Sequence, residues 1–149
     1  MYVTIPMEKW DNYFVLFGDK IKNKIIEKSD FCNLIYSTEL GTFNNIIFTV
    51  TFKNVMIDTY FNKYKCMFSN ANEEVVEQLL SIESQILNKY NRTKKKNYKL
   101  LQQLSTSSFK FLSMVQYKKQ QMKEFSVCIK LSGIWENEEE CGIIYKFVT

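Results

Sequence analysis

The chain has 149 residues, of which 46% are hydrophobic and 15% aromatic, and its formal net charge at pH 7 is +4. This length and apolar content predict one packed domain over residues 1–149 and exclude a disordered chain. No run is apolar enough to predict a membrane-spanning helix, and the first residues lack the features of a secretory signal. We therefore expect an intracellular protein with no membrane partner.

The residue types that catalysis and metal binding use most are scarce. The sequence contains no histidine, and its four cysteines form no C-x-x-C pair. The nucleophile pairs Ser-His and Cys-His are therefore excluded. Zinc ligation is disfavoured. There is also no Walker loop and no G-x-G-x-x-G sequence. We predict a non-catalytic protein without metal or cofactor, and an enzyme with a small carboxylate site is the least favoured alternative.

The first half of the chain is typical of β-strands. Short strands are predicted at residues 2–5, 13–17 and 31–37, with a turn at 39–42, whereas residues 18–30 fit either a helix or an edge strand. A long run of β-branched and aromatic residues predicts a strand pair over 46–68. Within it Phe48, Val50 and Phe52 alternate with polar residues, which indicates a sheet with one buried side.

A helical period begins after residue 70. Apolar residues at helical spacing predict a helix over 72–90, and Asn70 with Glu73 predicts a capping box at its start. A polar, basic loop follows, then a short second helix over 98–104. Three further strands are predicted at 109–117, 125–131 and 141–148.

This order of elements predicts a mainly β domain with one prominent helix, in the α+β class. We expect an OB-like, partly open antiparallel barrel, with the helix between its third and fourth strands. A ferredoxin-like sheet, which needs two comparable helices, stays open because the first forty residues are ambiguous.

Basic residues are concentrated after the long helix, where nine basic and no acidic residues lie between Arg92 and Lys123. Aromatic residues interleave with these cations and with the lysines of the preceding strand pair. Single-stranded nucleic acid is held by this combination, with cations on phosphates and aromatic faces on bases. Tyr64, Tyr98, Phe111 and Tyr117 are the predicted stacking residues. The full predicted site comprises Lys53, Lys63, Tyr64, Lys65, Arg92, Lys94, Lys95, Lys96, Tyr98, Lys99, Lys110, Phe111, Tyr117, Lys118 and Lys119.

The last hairpin reads KLSGIWENEEECGIIYKFV. It resembles the C-terminal signature of single-stranded-DNA-binding OB-fold proteins encoded by large eukaryotic DNA viruses and related mobile elements. The resemblance covers about twenty residues and implies sequence-independent binding of DNA, in preference to RNA, during viral-type replication or recombination. It also implies a location in the host nucleus or cytoplasm. The matching positions are Gly133, Ile134, Trp135, Gly142, Ile143, Tyr145 and Lys146.

Three expectations attach to this hairpin. Gly133 and Gly142 are predicted to allow a bulge or a positive φ. Trp135 and Tyr145 are predicted either to seal the barrel end or to stack on bases, and sealing is preferred for Trp135. Two interpretations stay open for Glu136, Glu138, Glu139 and Glu140: a solvated turn without a function, or an acidic tip away from the lysine-rich face that keeps the strand in one groove or contacts a basic partner. Replication proteins and a second copy of the chain are further candidate partners. The second functional hypothesis is a virus-encoded β-rich protein that binds a host or virion protein.

Overall fold

The computed structural model describes residues 4–22, 29–61 and 63–149. Within these ranges the chain is mainly β with one prominent helix, which confirms the predicted class. The helices are α1 (Glu73–Tyr90) and α2 (Lys99–Leu104). The strands are β1 (Val15–Phe17), β2 (Ile21–Lys22), β3 (Asp30–Thr38), β4 (Gly41–Asn44), β5 (Ile46–Tyr60), β6 (Lys63–Met67), β7 (Lys95–Asn97), β8 (Ser108–Leu112), β9 (Gln120–Glu136) and β10 (Glu140–Val148).

Five strands bring the sheet back on itself. β5 pairs with β6, β6 with β8, β8 with β10, β10 with β9, and β9 again with β5. All these pairings are antiparallel except that of β8 with β10. The β8–β10 pairing consists of Phe111 opposite Phe147 and Leu112 opposite Val148. Because this junction is so short, the sheet is partly closed.

The position of the helices differs from the prediction. Taken in chain order, the strands of this ring are β5, β6, β8, β9 and β10, and both helices precede the third of them. The long helix was expected after the third strand, so that part of the OB-like prediction was wrong. Strands β1 to β4 lie outside the ring and join it where β3 pairs with the end of β9.

The core is built by the predicted alternation. Phe48, Val50 and Phe52 are buried, and β9 places Ile129, Val127 and Phe125 directly opposite them. Helix α1 adds its apolar side to the same core. Each fully buried Phe or Ile contributes roughly 1.5–3 kcal/mol through the hydrophobic effect. In the described parts of the chain, no helix has the length and apolarity that crossing a lipid bilayer requires.

Several predicted boundaries were wrong. The strand expected over 109–117 ends at Leu112, and β7 forms in the segment expected to be a basic loop. Ile5 is not in a strand, although its N–H donates to the Ile47 carbonyl oxygen at 2.7 Å. Residues 2, 3 and 23–28 of the predicted early elements lie outside the described ranges.

Asn72 attaches the start of α1 to β5. Its Oδ1 accepts from the Lys53 N–H at 2.6 Å, and its Nδ2 donates to the Lys53 carbonyl oxygen at 2.9 Å. The capping box expected between Asn70 and Glu73 is not formed, because the side chain of Ser69 accepts from the Ala71 N–H instead. Asn72 therefore satisfies backbone groups of β5 at a position where β6 does not reach.

Candidate nucleic-acid interface

The basic residues expected on one surface lie at two ends of the sheet. β10 pairs with β7 at its beginning, where Lys96 is opposite Cys141, and with β8 at its end, where Phe111 is opposite Phe147. Six residues of extended chain separate these points along β10, which corresponds to about 20 Å. We call the first region, with β7 and the β9–β10 turn, the hairpin end. The second, with the β5–β6 turn and loop 113–119, is the loop end.

A buried carboxylate organises the hairpin end. The Glu136 side chain is 4% exposed, although it was predicted to belong to an exposed turn. Its Oε1 lies 2.6 Å from the Lys20 Nζ and its Oε2 lies 3.0 Å from the Lys94 Nζ. The Tyr90 hydroxyl donates to the same carboxylate at 2.6 Å. Three donors from separate segments therefore hold Glu136 as part of the fold.

These contacts determine how the cluster titrates. Burial alone would raise the pKa of Glu136, but hydrogen bonds from Lys20, Tyr90 and Lys94 outweigh it and lower the pKa to about 2. Burial and the hydrogen bond to Glu136 raise the pKa of Tyr90. The carboxylate is thus ionised and the phenol neutral at neutral pH.

Acidic residues lie opposite two cations of the hairpin end, Lys94 and Lys95. Lys94 binds Glu136 and also donates to the Asn137 carbonyl oxygen at 2.8 Å. Lys95 is exposed and lies opposite Glu140, next to the exposed Glu138 and Glu139. Lys96 is half-buried and Arg92 is exposed. The acidic-tip interpretation placed the turn away from the lysine-rich face, and for Lys94 and Lys95 this was wrong.

Trp135 is buried at the hairpin end, at 5% exposure. The Nζ of Lys99 lies 4.8 Å from its ring centroid, within the range of a cation–π interaction. Lys99 was predicted to bind nucleic acid, and here it covers the tryptophan instead. A buried ring with a lysine above it cannot stack on a base, which agrees with the expected preference for sealing.

Both glycines of the hairpin are needed because neighbouring atoms of the chain leave no room for a Cβ at either position. A Cβ on Gly133 would lie 2.3 Å from the Cys32 carbonyl oxygen, and one on Gly142 would lie 2.8 Å from the Trp135 Nε1. Neither glycine has a positive φ, and the pairing at Gly142 is regular, so for Gly142 the predicted bulge or positive φ was wrong. The predicted bulge does occur, since the β9–β10 register shifts next to Gly133.

Tyr145 and a glutamate that the sequence analysis missed fix α2 beside β10. The Tyr145 hydroxyl donates to the Gln103 Oε1 at 2.6 Å, so this residue is engaged within the fold. The Glu83 carboxylate, 1% exposed, accepts the N–H groups of Leu100 at 2.9 Å and Leu101 at 3.1 Å. Burial raises the pKa of Glu83 although these bonds oppose it, and burial raises the pKa of Tyr145 to about 12.

At the loop end, lysines and aromatic residues lie on opposite faces of the sheet. Lys63 and Lys65 alternate with Tyr64 along β6, and Lys110 lies between the buried Phe109 and Phe111 on β8. Because successive strand residues point to opposite faces, the lysines point outward and the rings inward. Lys65 lies directly opposite Lys110, and Asp58 lies opposite Lys65 on its other side.

The predicted stacking residues form part of the core or pack against it. Phe111 is 1% exposed and cannot present a face to a base, so its predicted role was wrong. The Tyr64 ring stacks on it with centroids 5.4 Å apart, and the Tyr117 ring meets Tyr64 edge-on at 5.6 Å. Tyr64, Tyr98 and Tyr117 are each half-buried. Only their accessible edges are available to a ligand.

The exposed surface of the loop end combines cations with apolar residues. Lys63, Lys110, Lys118 and Lys119 are exposed there, and Lys65 is half-buried. The sequence analysis missed the apolar residues beside them, which are Phe61 at 92% exposure, Leu112 at 43%, Met114 at 98% and Val115 at 61%. Phe61, Met114 and Val115 lie in a turn and a loop, and Leu112 is the last residue of β8, so the signal that could have identified them was their position at or beyond the strand ends.

Two predicted residues lie apart from both ends. Lys53 is exposed on β5 and is opposite Glu124 on β9. Lys146 is exposed on β10 and is opposite Lys130. Neither residue is a neighbour of Lys65 or Lys110 in the register of the sheet.

In the described ranges, no three carboxylate or thiol side chains come together as ligands for a metal ion. Comparisons of the chain with protein-family models, with curated proteins and with solved structures find no match in any of the three.

Proposed function

We propose that the protein binds single-stranded nucleic acid, DNA in preference to RNA, without catalysis and largely without sequence preference. The observation that supports this proposal is the group of outward-pointing lysines at the loop end. Lys63, Lys65 and Lys110 lie on two neighbouring strands, and Lys118 and Lys119 follow in the adjoining loop. Cations that track phosphates supply most of the affinity of a protein for a strand without a preferred sequence.

The position of these lysines in the fold also favours this function. β6 and β8 are the second and third strands of the partly closed ring. In OB-folds the face of the second and third strands binds oligonucleotides. This argument is an analogy between folds, and the lysines themselves carry the chemistry.

The distribution of acids selects the loop end over the hairpin end. At the hairpin end, the carboxylate of Glu136 pairs with Lys94, and Glu140 is opposite Lys95 in the register of β10 and β7. At the loop end, Asp58 opposes Lys65, and the neighbouring loop 113–119 contains two lysines and no acidic residue. A polyanion is therefore attracted to the loop end more strongly than to the hairpin end.

Aromatic contacts contribute less to the proposed site than the sequence suggested. Phe61, at the β5–β6 turn, is highly exposed, and the edges of Tyr64 and Tyr117 are accessible at the same end. We therefore expect binding that depends strongly on salt, with a stacking contribution from few residues.

The biological setting of the proposal rests on the resemblance of the C-terminal hairpin. We propose a role in viral-type DNA replication or recombination in the host nucleus or cytoplasm, beside other replication proteins.

A titration with fluorescently labelled oligo-dT at two salt concentrations tests the proposal. We expect tight binding at low salt that weakens steeply as salt is raised. Absence of binding at low salt would refute the proposal. Degradation of the oligonucleotide in magnesium would refute its non-catalytic part.

A second candidate function is supported by the exposed apolar residues of the loop end. Met114 and Val115 lie side by side in loop 113–119 and are mostly exposed, close to Leu112. Apolar groups exposed together are typical of protein-binding surfaces. The second proposal is therefore a β-rich interaction protein that contacts a host or virion protein through this loop. Replacement of both loop residues by serine would weaken such a contact and leave oligo-dT binding intact.

A further inference from the structure

A groove lined by apolar and polar residues lies between β5, β6 and β9, beside the lysines of the loop end. Its volume is about 640 Å³, within the range of roughly 300–1,000 Å³ that is usual for ligand sites. Met56 and Met67 lie opposite each other on β5 and β6, and they point outward because their neighbours Ile57 and Cys66 are buried. The groove is lined by Asn54, Val55, Met56, Met67, Phe68, Ser69, Gln121, Met122 and Lys123.

The groove lies at an irregularity in the pairing of β5 with β9. Lys53 is opposite Glu124 and Val55 is opposite Met122, but Asn54 between them has no partner in this register. Asn54 also has a positive φ of 53°, which ordinary strand residues avoid. The side chain of Asn72 holds the backbone of Lys53 immediately before this point. The path of the backbone at Asn54 therefore contributes to the shape of the groove, together with the side chains that line it.

Its lining combines apolar side chains with neutral hydrogen-bonding groups. Methionines adapt their shape to a flat ring and make favourable sulfur–aromatic contacts. Asn54 and Gln121 carry amides, each of which offers both donors and acceptors. No acidic residue lines the groove, and Lys123 stands at its margin. This chemistry suits an uncharged aromatic group attached to a polyanion.

The phosphate-binding lysines proposed above are within reach of the groove. Met67 and Lys65 are two residues apart on β6 and point to the same face, so about 7 Å separates their Cα atoms. Lys65 in turn lies opposite Lys110. A strand whose phosphates contact this pair can therefore reach the groove with a neighbouring base.

We propose that the groove holds unpaired nucleobases of the bound strand, and this inference rests on the proposed function. The Met56–Met67 pair supplies the apolar surface against which a base packs. The amides of Asn54 and Gln121 satisfy its polar edge without selecting one base. The site then has two parts, lysines for the backbone and the methionine groove for the bases.

The test compares two ligands of equal length and charge, an oligo-dT and an abasic deoxyribose-phosphate oligomer, by fluorescence anisotropy. We expect the wild-type chain to bind oligo-dT about tenfold more tightly than the abasic oligomer, since each base held in a site adds measurable affinity. The variant Met56→Ser with Met67→Ser should lose roughly fivefold or more for oligo-dT and nothing for the abasic oligomer.

A matched control removes two exposed apolar residues elsewhere, Leu16 on β1 and Leu40 in the β3–β4 turn. The variant Leu16→Ser with Leu40→Ser should bind both oligomers as the wild type does, and thermal melting should show that both variants are folded. Equal binding of the two oligomers by the wild type, or an unchanged preference for oligo-dT in the methionine variant, would overturn the inference and leave the proposed function intact. Failure of the wild type to bind either oligomer would overturn both.

Discussion

Lys65 on β6 lies directly opposite Lys110 on β8, and both side chains are on the outer face of the sheet. Like charges at directly opposed positions of neighbouring strands destabilise a sheet. The two cations are close enough to contact one anionic ligand.

The first prediction concerns this pair. The variant Lys65→Gln with Lys110→Gln should bind oligo-dT about tenfold more weakly at low salt, because two phosphate contacts are lost. The slope of log affinity against log salt should also fall by about 1.4, that is about 0.7 for each contact. The control is Lys95→Gln with Lys96→Gln at the hairpin end. Stronger loss in the control than in the test variant would contradict the assignment of the site to the loop end.

The second prediction concerns Glu136 and acid. Its pKa in the folded chain, about 2, lies below its ordinary value of 4.5. The ionised carboxylate therefore stabilises the fold above pH 4.5, and this contribution is lost as the pH falls toward 2. Between pH 7 and pH 3, the wild type should lose about 2 kcal/mol more stability than Glu136→Gln.

Urea unfolding at several pH values measures this difference. Glu138→Gln, in the exposed turn, is the control and should follow the wild type across the whole range. If the free energy of unfolding changed with pH in the same way for the wild type and for Glu136→Gln, the cluster would not favour the ionised carboxylate.

The third prediction concerns the start of α2. Replacement of Glu83 by alanine leaves the buried N–H group of Leu100 and the partly buried N–H group of Leu101 without their acceptor. The free energy of unfolding should fall by about 2–4 kcal/mol. Glu77 is exposed on the same helix, so Glu77→Ala serves as the control and should change stability by less than about 0.5 kcal/mol. Equal effects of the two substitutions would exclude the capping role.

The fourth prediction concerns the closest backbone contact of the hairpin. Gly133→Ala places a methyl group against β3, at 2.3 Å from the Cys32 carbonyl oxygen and 2.4 Å from the Phe31 ring. The backbone must move to relieve this contact, so we expect a loss of about 1–3 kcal/mol or more in stability. In Gly18→Ala the nearest atoms are 3.5 Å away, an ordinary contact, and thermal melting should show a smaller effect. A Gly133→Ala chain as stable as the wild type would show that β3 can shift freely.

The elements that the sequence predicted best are those with a local signal. α1 and β10 were located within one residue or two, because helical spacing and the alternating hairpin depend on near neighbours. The end of β8 was predicted five residues too late. Apolar residues of the loop, Met114 and Val115, resemble a strand in composition although they are exposed.

The main error in the predicted site came from treating sequence neighbours as spatial neighbours. Lysines and aromatic residues alternate at Lys63, Tyr64 and Lys65 and again around Lys110. In a strand this spacing places the two residue types on opposite faces. The same alternation that made the segment look like a stacking surface therefore buried its rings.

The burial of Glu136 was not predicted because it depends on contacts between residues that are distant in the sequence. The burial of Glu136 depends on Lys20, Tyr90 and Lys94, which are distant in the chain and meet only when β3, α1 and β9 are assembled. The sequence shows four glutamates in a turn, and nothing local separates the one that enters the fold from those that stay in water.

β9 forms pairs with β3, β5 and β10, so segments from the first, middle and last thirds of the chain are joined through one strand near the C-terminus. A nascent chain that emerges from the ribosome cannot complete its sheet until this strand has been synthesised. Completion of this sheet is consequently expected to wait for β9 and to proceed slowly, as it does for proteins dominated by pairings between remote segments.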